Sequence, residues 1–433
     1  MEIDALYKLF LQHPVVTTDS RDCPQGSIFF ALKGESFNGN KFAEKALEAG
    51  CSYAVVDEAE YAVPGNDRLI LVDDCLAALQ QLANYHRRQL NTPIVGVTGT
   101  NGKTTTKELI STVLMQKYNV LYTQGNFNNH IGVPKTLLRL TAEHELAVVE
   151  MGANHPGEIK TLVNIVEPNC GIITNVGKAH LEGFASFEGV IKTKGELYDF
   201  LRTRPDSRVF IHRDNPYLNG MAQGLNLVTY GSTTEELQAV NGEVIECAPY
   251  LTFRWRMGQG EWHRVESHLI GSYNIDNMLA AAAIGLYFGV SPEQIDAALA
   301  GYIPQNNRSQ LEVTERNHLI IDAYNANPTS MMAALKNFRE MKVERKFALL
   351  GDMRELGAGS VEEHQKVVDF IKECRFDQVW LVGQEFAKAQ HDFRTFGNVD
   401  EVNAALDAEQ PSGYCVLVKG SNGIKLSQTV SHL

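Results

Sequence analysis

The chain lacks an apolar run of membrane-spanning length, a paired-cysteine spacing and any excess of positive charge. Its longest apolar stretch, Leu279 to Val290, falls short of the roughly 20 residues that cross a bilayer and reads as a buried helix. The cysteines at 23, 51, 75, 170, 247, 374 and 415 never fall in a CxxC spacing; an odd, dispersed set reads as reduced, buried thiols in a cytosolic protein. A net charge of −13 argues against nucleic acid or an anionic membrane as the main partner. It leaves room for an anionic small substrate in a local cationic pocket. Low-complexity tracts and internal repeats are absent. The opening residues, MEIDALYKLFLQH, carry early acids and alternate polar with apolar, so no targeting peptide and a cytoplasmic location are expected. At 433 residues, 44% hydrophobic and 21% charged, the chain has the makeup of a globular protein too long for one core, and two or three domains are expected.

What is present centres on Val95 to Lys107, VGVTGTNGKTTTK. Apolar residues lead into glycine, threonine and lysine, the pattern of a buried strand, a tight loop and a helix start. Around Thr100, Gly99, Asn101 and Gly102 leave the loop little side-chain bulk, so backbone N–H groups can converge on an anion. Lys103, expected as a solvated loop lysine, would set its ammonium against the outer phosphates of a nucleotide triphosphate. The Thr104 hydroxyl, followed by Thr105, would ligate Mg²⁺. The common phosphate-loop pattern has glycine where Val97 stands, so TGTNGKTT is a variant of it. The bland alternative is a glycine-rich strand–helix turn without ligand.

Three α/β units are expected, over 1–90, 91–304 and 305–433. In the first, a short helix leads to Val15-Val16-Thr17, strands are expected at 27–32, 53–56 and 69–72 and helices at 41–49 and 74–89, with Asn91-Thr92-Pro93 as linker. Its polar loop Asp19-Ser20-Arg21 reads equally as a capping turn or a ligand contact. The second unit alternates strand and helix, which points to a parallel sheet with flanking helices. Strands are expected at 93–99, 120–123, 145–149, 171–174, 208–211 and 227–230, then an antiparallel excursion from about 235 to 270. The third repeats the alternation, with strands at 319–321, 347–350, 378–382 and 415–418 and a helix from Ser330.

Polar residues follow each central strand on the edge where open α/β sheets bind ligands. Glu150 follows the run ELAVV and reads as a metal carboxylate, an N-cap or a solvated acid. His180 reads as a core or capping residue, since Mg²⁺ prefers oxygen. Phe187, Val190, Lys194, Leu197 and Leu201 share one helix face, so Lys194 lies in an apolar stripe. It must either snorkel to water or be held with a lowered pKa. Asn274 and Asn277 open the alanine-rich helix, where they could cap it or hold a ligand. The cluster Asp322 to Pro328 follows a strand on the same edge.

With these pieces in order the chain resembles the Mur ligases, ATP-dependent amino-acid-adding enzymes of peptidoglycan precursor synthesis. TGTNGKTTTKE, GNFNNHIGVP, VVEMGANHPGEI, TNVGKAHLEGF, KTKGELYDFL, GSYNIDNMLAAAA, DAYNANPTSM, LGDMRELG and VKGS carry the likeness nearly end to end. MGANHPGEI, YNANPTS and GDMRELG point to the branch that joins D-alanyl-D-alanine to UDP-N-acetylmuramoyl-tripeptide. The resemblance implies three domains: a small N-terminal one holding the uridine end through Asp19, Ser20 and Arg21, a central phosphate-loop sheet binding ATP and Mg²⁺, and a C-terminal dinucleotide-binding-like one. It implies that Glu150, His180 and a carbamylated Lys194 join Thr104 as metal ligands, with Lys103, Lys194 and His180 serving catalysis. It places Asn274, Asn277, Arg308 and Asp322 at the nucleotide, and Asn325 and Asn327 near dipeptide and nucleotide. A monomer is expected. Asn38-Gly39-Asn40, His212 and Asn422 stand where the family commonly has Asp-Gly-His, Asn and Arg. Alternatives are a ligase of the folylpolyglutamate or cyanophycin type, sharing the loop and the carbamate lysine, and a non-ligating ATPase.

Overall fold

The computed structural model describes residues 1–232, 238–305 and 308–433. Residues 235–237, where the antiparallel excursion is expected to begin, and 306–307, at the start of the third unit, lie outside the described residues. Three α/β domains follow one another, built on sheets of four, nine and six strands.

In the first, β1 (Val16–Thr17), β2 (Ile28–Phe30), β3 (Tyr53–Val56) and β4 (Leu69–Leu71) pair in that order, all parallel. Ile28 to Phe30 and Ala54 to Val56 are buried as continuous runs, as in a sheet covered on both faces. Helices α1 (Ile3–Gln12), α2 (Ala43–Glu48) and α3 (Cys75–Leu90) cover it. The strand expected over 27–32 stops at Phe30, because the Leu32 N–H turns back to the Phe30 carbonyl at 2.9 Å. Asp74 caps α3 by accepting from the Ala77 N–H at 2.7 Å. Asn91, left-handed at φ 53°, ends it before Pro93.

The central sheet begins with β5 (Ile94–Thr98), α4 (Lys103–Leu114), β6 (Val120–Tyr122), α5 (Gly132–Leu137), β7 (Leu146–Glu150), α6 (Glu158–Val166) and β8 (Cys170–Ile173). It continues through α7 (Leu181–Phe184), α8 (Phe187–Arg202), β9 (Arg208–His212), α9 (Pro216–Met221) and β10 (Leu227–Gly231). Next come β11 (Val240–Cys247), β12 (Tyr250–Met257), β13 (His263–Ile270), α10 (Ile275–Tyr287) and α11 (Pro292–Gly301). The order is β13-β12-β11-β10-β9-β8-β5-β7-β6. The antiparallel hairpins are therefore no separate excursion: β11 joins β10 in parallel and extends the same sheet. The apolar run 279–290 forms most of α10, with Leu279 to Ile284 fully buried; Gly289, at φ 73°, turns the chain into the Ser291–Gln294 capping box of α11.

In the third domain β14 (Gln310–Val313), β15 (His318–Asp322), α12 (Pro328–Glu340), β16 (Lys346–Gly351), α13 (Ser360–Cys374), β17 (Gln378–Val382), β18 (Arg394–Phe396), α14 (Val399–Glu409) and β19 (Cys415–Lys419) give the order β14-β15-β19-β16-β17-β18. β14 alone is antiparallel. The edge strands β14 and β18 escape sequence reading because they are short and half-exposed, which leaves no hydrophobic alternation to detect. Helix α12 starts at Pro328, two residues before the expected Ser330, because Asn327 and Ser330 form a reciprocal capping box around the proline.

The third domain meets the second through polar contacts and through Ile270 and Tyr250 of the central sheet, which pack into the third domain's core. Asn327 Nδ2 donates to Asn101 Oδ1 at 2.7 Å, and Lys178 meets Glu363 at 3.0 Å. The Lys178 N–H also donates to Thr329 Oγ1 at 3.2 Å. Relative motion is the default expectation for domains joined by a partly polar interface, so ATP analogue plus both substrates should lower the radius of gyration in solution scattering. A radius unchanged in every ligand state would refute domain closure as part of the working cycle.

Candidate active site

The loop after β5 is built for close approach. Gly99 sits at φ 143°, and a Cβ there would lie 2.0 Å from Thr174 Oγ1; at Gly102, φ 76°, it would lie 2.8 Å from Asn277 Oδ1. Only glycine fits either place. The strand next to β5 pins the loop: the Asn175 carbonyl accepts from the Thr100 N–H at 2.9 Å, Asn175 Oδ1 accepts from the Asn101 N–H at 2.9 Å, and Thr174 Oγ1 donates to the Asn101 carbonyl at 2.6 Å. The N-terminal N–H groups of α4 are thus fixed facing a cavity, the arrangement that binds phosphate. Lys103 is half-buried rather than solvated, its Nζ on the Thr100 carbonyl at 2.9 Å. Burial pushes its pKa down to about 8, with Arg308 adding to the shift and Glu150 opposing it.

Glu150 is neither a cap nor a solvated acid. It ends β7 at 1% exposure, and its Oε1 accepts from Asn128 Nδ2 at 2.8 Å and from Thr104 Oγ1 at 3.3 Å. Oε2 has no partner among the described residues. An unpaired buried carboxylate oxygen beside the loop hydroxyl fits a hard cation. Lys194 does not snorkel: it is 2% exposed, with Nζ 3.3 Å from the Ala153 carbonyl and 5.3 Å from the centre of the Phe184 ring. Burial, with Lys103 nearby, drives its pKa well below the usual lysine value. His180, left-handed at φ 50° before α7, presents Nδ1 to the Glu355 carboxylate of the third domain. Among the described residues no three His, Cys, Asp or Glu side chains converge as a metal cluster.

A cavity of about 820 Å³ gathers the remaining groups. Thr100 to Lys103, Thr105, Glu150, His180, Asn274 and Asn277 line it from the central domain, and Arg308, Asp322 and Asn325 from the third. Asn274 Oδ1 accepts from Asn277 Nδ2 at 2.8 Å, and Asn277 Oδ1 accepts from Thr106 Oγ1 at 2.9 Å, which ties α10 to α4 under the loop. Arg308 stacks on Tyr324 at 3.9 Å, its buried Nε unpartnered among the described residues. Asp322 accepts from the fully buried Lys419 at 2.6 Å. Asp19, Ser20 and Arg21 do not line this cavity; Asp19 is paired with Arg21 of its own exposed loop at 2.7 Å. Asn40 is buried and braced by Asp57, and Asn38 by Glu58.

Sequence reading assigns no role to Asn128, Asn175, Lys419, Asp276 or Glu355. Each acts on a residue far off in the chain, and no local pattern marks it.

Residues 14–87 match the Mur ligase family catalytic domain, 97–285 the Mur ligase middle domain and 307–422 the Mur ligase glutamate ligase domain. The UDP-N-acetylmuramoyl-tripeptide–D-alanyl-D-alanine ligase of Bacillus subtilis (strain 168) is 36% identical over 432 residues, covering 96% of this chain and 92% of the relative. The enzyme of that name from Escherichia coli (strain K12) is 36% identical over 436 residues, covering 96% and 93%. A crystal structure of MurF from Acinetobacter baumannii superposes with a TM-score of 0.87 at 30% identity, covering 96% of this chain and 92% of that one. The MurF ligase of Thermotoga maritima, solved with ADP, shares the fold at a TM-score of 0.86 and 24% identity, covering 98% and 97%. The chain belongs to the Mur ligase family, on its branch of UDP-N-acetylmuramoyl-tripeptide–D-alanyl-D-alanine ligases.

Proposed function

We propose that this chain joins D-alanyl-D-alanine to UDP-N-acetylmuramoyl-tripeptide with cleavage of ATP, giving the UDP-muramoyl-pentapeptide of peptidoglycan synthesis. The observation that carries this reading is a phosphate loop and a buried, half-satisfied carboxylate opening onto one cavity that a third domain closes. A tripeptide carboxylate oxygen attacks the γ-phosphorus, forming an acyl phosphate and releasing ADP. Loop N–H groups and Lys103 meet the charge that builds on the phosphoryl oxygens. The neutral amine of D-alanyl-D-alanine then attacks the acyl carbon; the C–N bond forms, the C–O bond to phosphate breaks, and the amine loses a proton.

Thr104 and Glu150, joined by His180 and Lys194 as the family resemblance implies, would hold Mg²⁺, which neutralises phosphate charge when bound. Lys194 suits this role as a carbamate. Burial lowers the pKa and so favours the neutral amine, whose nitrogen can add to CO₂ with loss of a proton to give an anionic oxygen donor. Asp19, Ser20 and Arg21 would take the uridine end in the first domain. Asn325 and Asn327 sit where the third domain meets the loop, suited to the dipeptide. The described residues include no helix long and apolar enough to cross a membrane.

Oxygen-18 in the tripeptide's terminal carboxylate should appear in the released phosphate, and phosphate release should depend on D-alanyl-D-alanine. Label entering from solvent water during productive turnover would falsify the ligase reading in favour of a simple ATPase.

A further inference from the structure

Among the described residues four carboxylates line the cavity: Glu150, Glu158, Asp276 and Asp322. Glu150 is tied to Thr104 and Asn128, Asp322 is matched by Lys419, and Asp276 stands beside His212 at the start of α10. Glu158 has no such place yet. It opens α6. With Thr161 and Leu162 of that helix and Leu76 and Gln80 of α3, it lines the arm of the cavity that runs toward the first domain. Glu158 and Lys103 both stand within electrostatic reach of the Lys194 amine, on which they act in opposite directions, so Glu158 also borders the phosphate end. Its Oε2 accepts from the Asn154 N–H at 2.7 Å and the His155 N–H at 3.0 Å. Oε1 meets only the His155 imidazole among the described residues, at 3.5 Å, and that side chain is 65% exposed and can yield its place to a ligand. Glu196 of α8 braces the same turn, accepting from the Gly157 N–H at 2.9 Å and the Lys160 N–H at 2.7 Å. Burial works to raise the Glu158 pKa, but the two N–H groups and His155 outweigh it and hold the carboxyl below its usual value. The result is a fixed anion with one oxygen open.

We infer that Glu158 receives the side-chain ammonium of the tripeptide's third residue and so selects a diamino acid at that place. The inference rests on the ligase reading: the third residue's own carboxylate attacks the γ-phosphorus, so its Cα must lie at the phosphate end of the cavity. An extended side chain of four methylenes and an amine spans about 6 Å, enough to run from there along the start of α6. An ionised acid at this place repels a substrate that arrives as a carboxylate, unless that substrate also brings it a cation. The lysines and arginines of the cavity, Lys103, Arg308 and Lys419, belong to the loop and the third domain, so none of them neutralises Glu158 on this arm. A neutral side chain of equal length would leave the carboxylate unpaired in a closed site, and that penalty is the source of discrimination.

The test supplies the full-length enzyme with ATP, D-alanyl-D-alanine and one of three UDP-muramoyl tripeptides. These end in L-lysine, in meso-diaminopimelate, or in L-norleucine, which has the four-carbon chain of lysine without its amine. For the wild type, loss of the amine should lower kcat/KM about 10-fold or more, as expected for a hydrogen bond to a charged group. Glu158→Gln keeps an oxygen for the Asn154 and His155 N–H groups, so it should fold, with a melting curve like that of the wild type. It should bring the diamino substrates down to the level of norleucine. A fall confined to one of the two diamino substrates supports the inference and names the one that the site takes. A wild type that uses the norleucine tripeptide as well as the other two overturns the inference without any variant. So does a lysine-to-norleucine ratio that is the same in wild type and Glu158→Gln. An equal loss with all three substrates also overturns it, and marks Glu158 as a brace of its own turn. In each of these cases turnover persists and the ligase reading stands; a wild type that turns over none of the three overturns both together.

Discussion

Lys103→Ala should lower turnover by about 10²-fold or more while leaving a folded protein. The ammonium lies beside the fixed N–H groups at the start of α4, where phosphoryl charge develops and no other lysine of the cavity is part of the loop. The loss should appear in kcat, because the interaction strengthens as charge moves onto the transferring group. Stability should respond differently. Burial in the fold pushes the Lys103 pKa from 10.5 down to about 8. Between those values the unfolded chain binds the proton more tightly than the folded one, so folding stability gains from this group as pH rises through the window. Below it the cost of the buried charge is fully present. Thermal unfolding of wild type and Lys103→Ala across pH 7 to 11 should therefore show a rise in the wild type that the variant lacks. Near-normal turnover in the variant would remove Lys103 from phosphoryl transfer.

Lys194→Ala should abolish ligation to a similar degree, and formate or acetate should restore part of it. The side chain is 2% exposed, so truncation leaves a small enclosed space beside the Ala153 carbonyl and Phe184. A small carboxylate can enter that space and supply the anionic oxygen that a carbamate would provide. A neutral amine is the form that adds CO₂, and burial favours it by lowering the pKa. Rescue should be specific to carboxylates: chloride of equal ionic strength should do nothing. Full activity of the alanine variant, with native protein containing unmodified lysine under CO₂, would take Lys194 out of the site.

Local features were legible in the sequence because their causes are local. The loop from Gly99 to Lys103 is encoded by an apolar strand, two glycines whose positive φ and close neighbours exclude a Cβ, and a helix start, all within a few residues. The place of Lys194 on an apolar helix face follows from 3.6-residue periodicity along α8, and the end-to-end order of motifs carries the family likeness. Periodicity could not decide whether Lys194 stays inside or snorkels. Packing decides it, with Nζ on the Ala153 carbonyl and over the Phe184 ring and the side chain left 2% exposed. The rest of the site depends on residues distant in the chain. Asn175 holds the loop from the end of the neighbouring strand. Asn327 reaches Asn101 across 226 residues of sequence separation, Glu355 meets His180, and His212 faces Asp276 between β9 and α10. None of these pairs leaves a periodic or compositional mark. Each is set by which strands adjoin and how the third domain closes, and those are properties of tertiary packing alone.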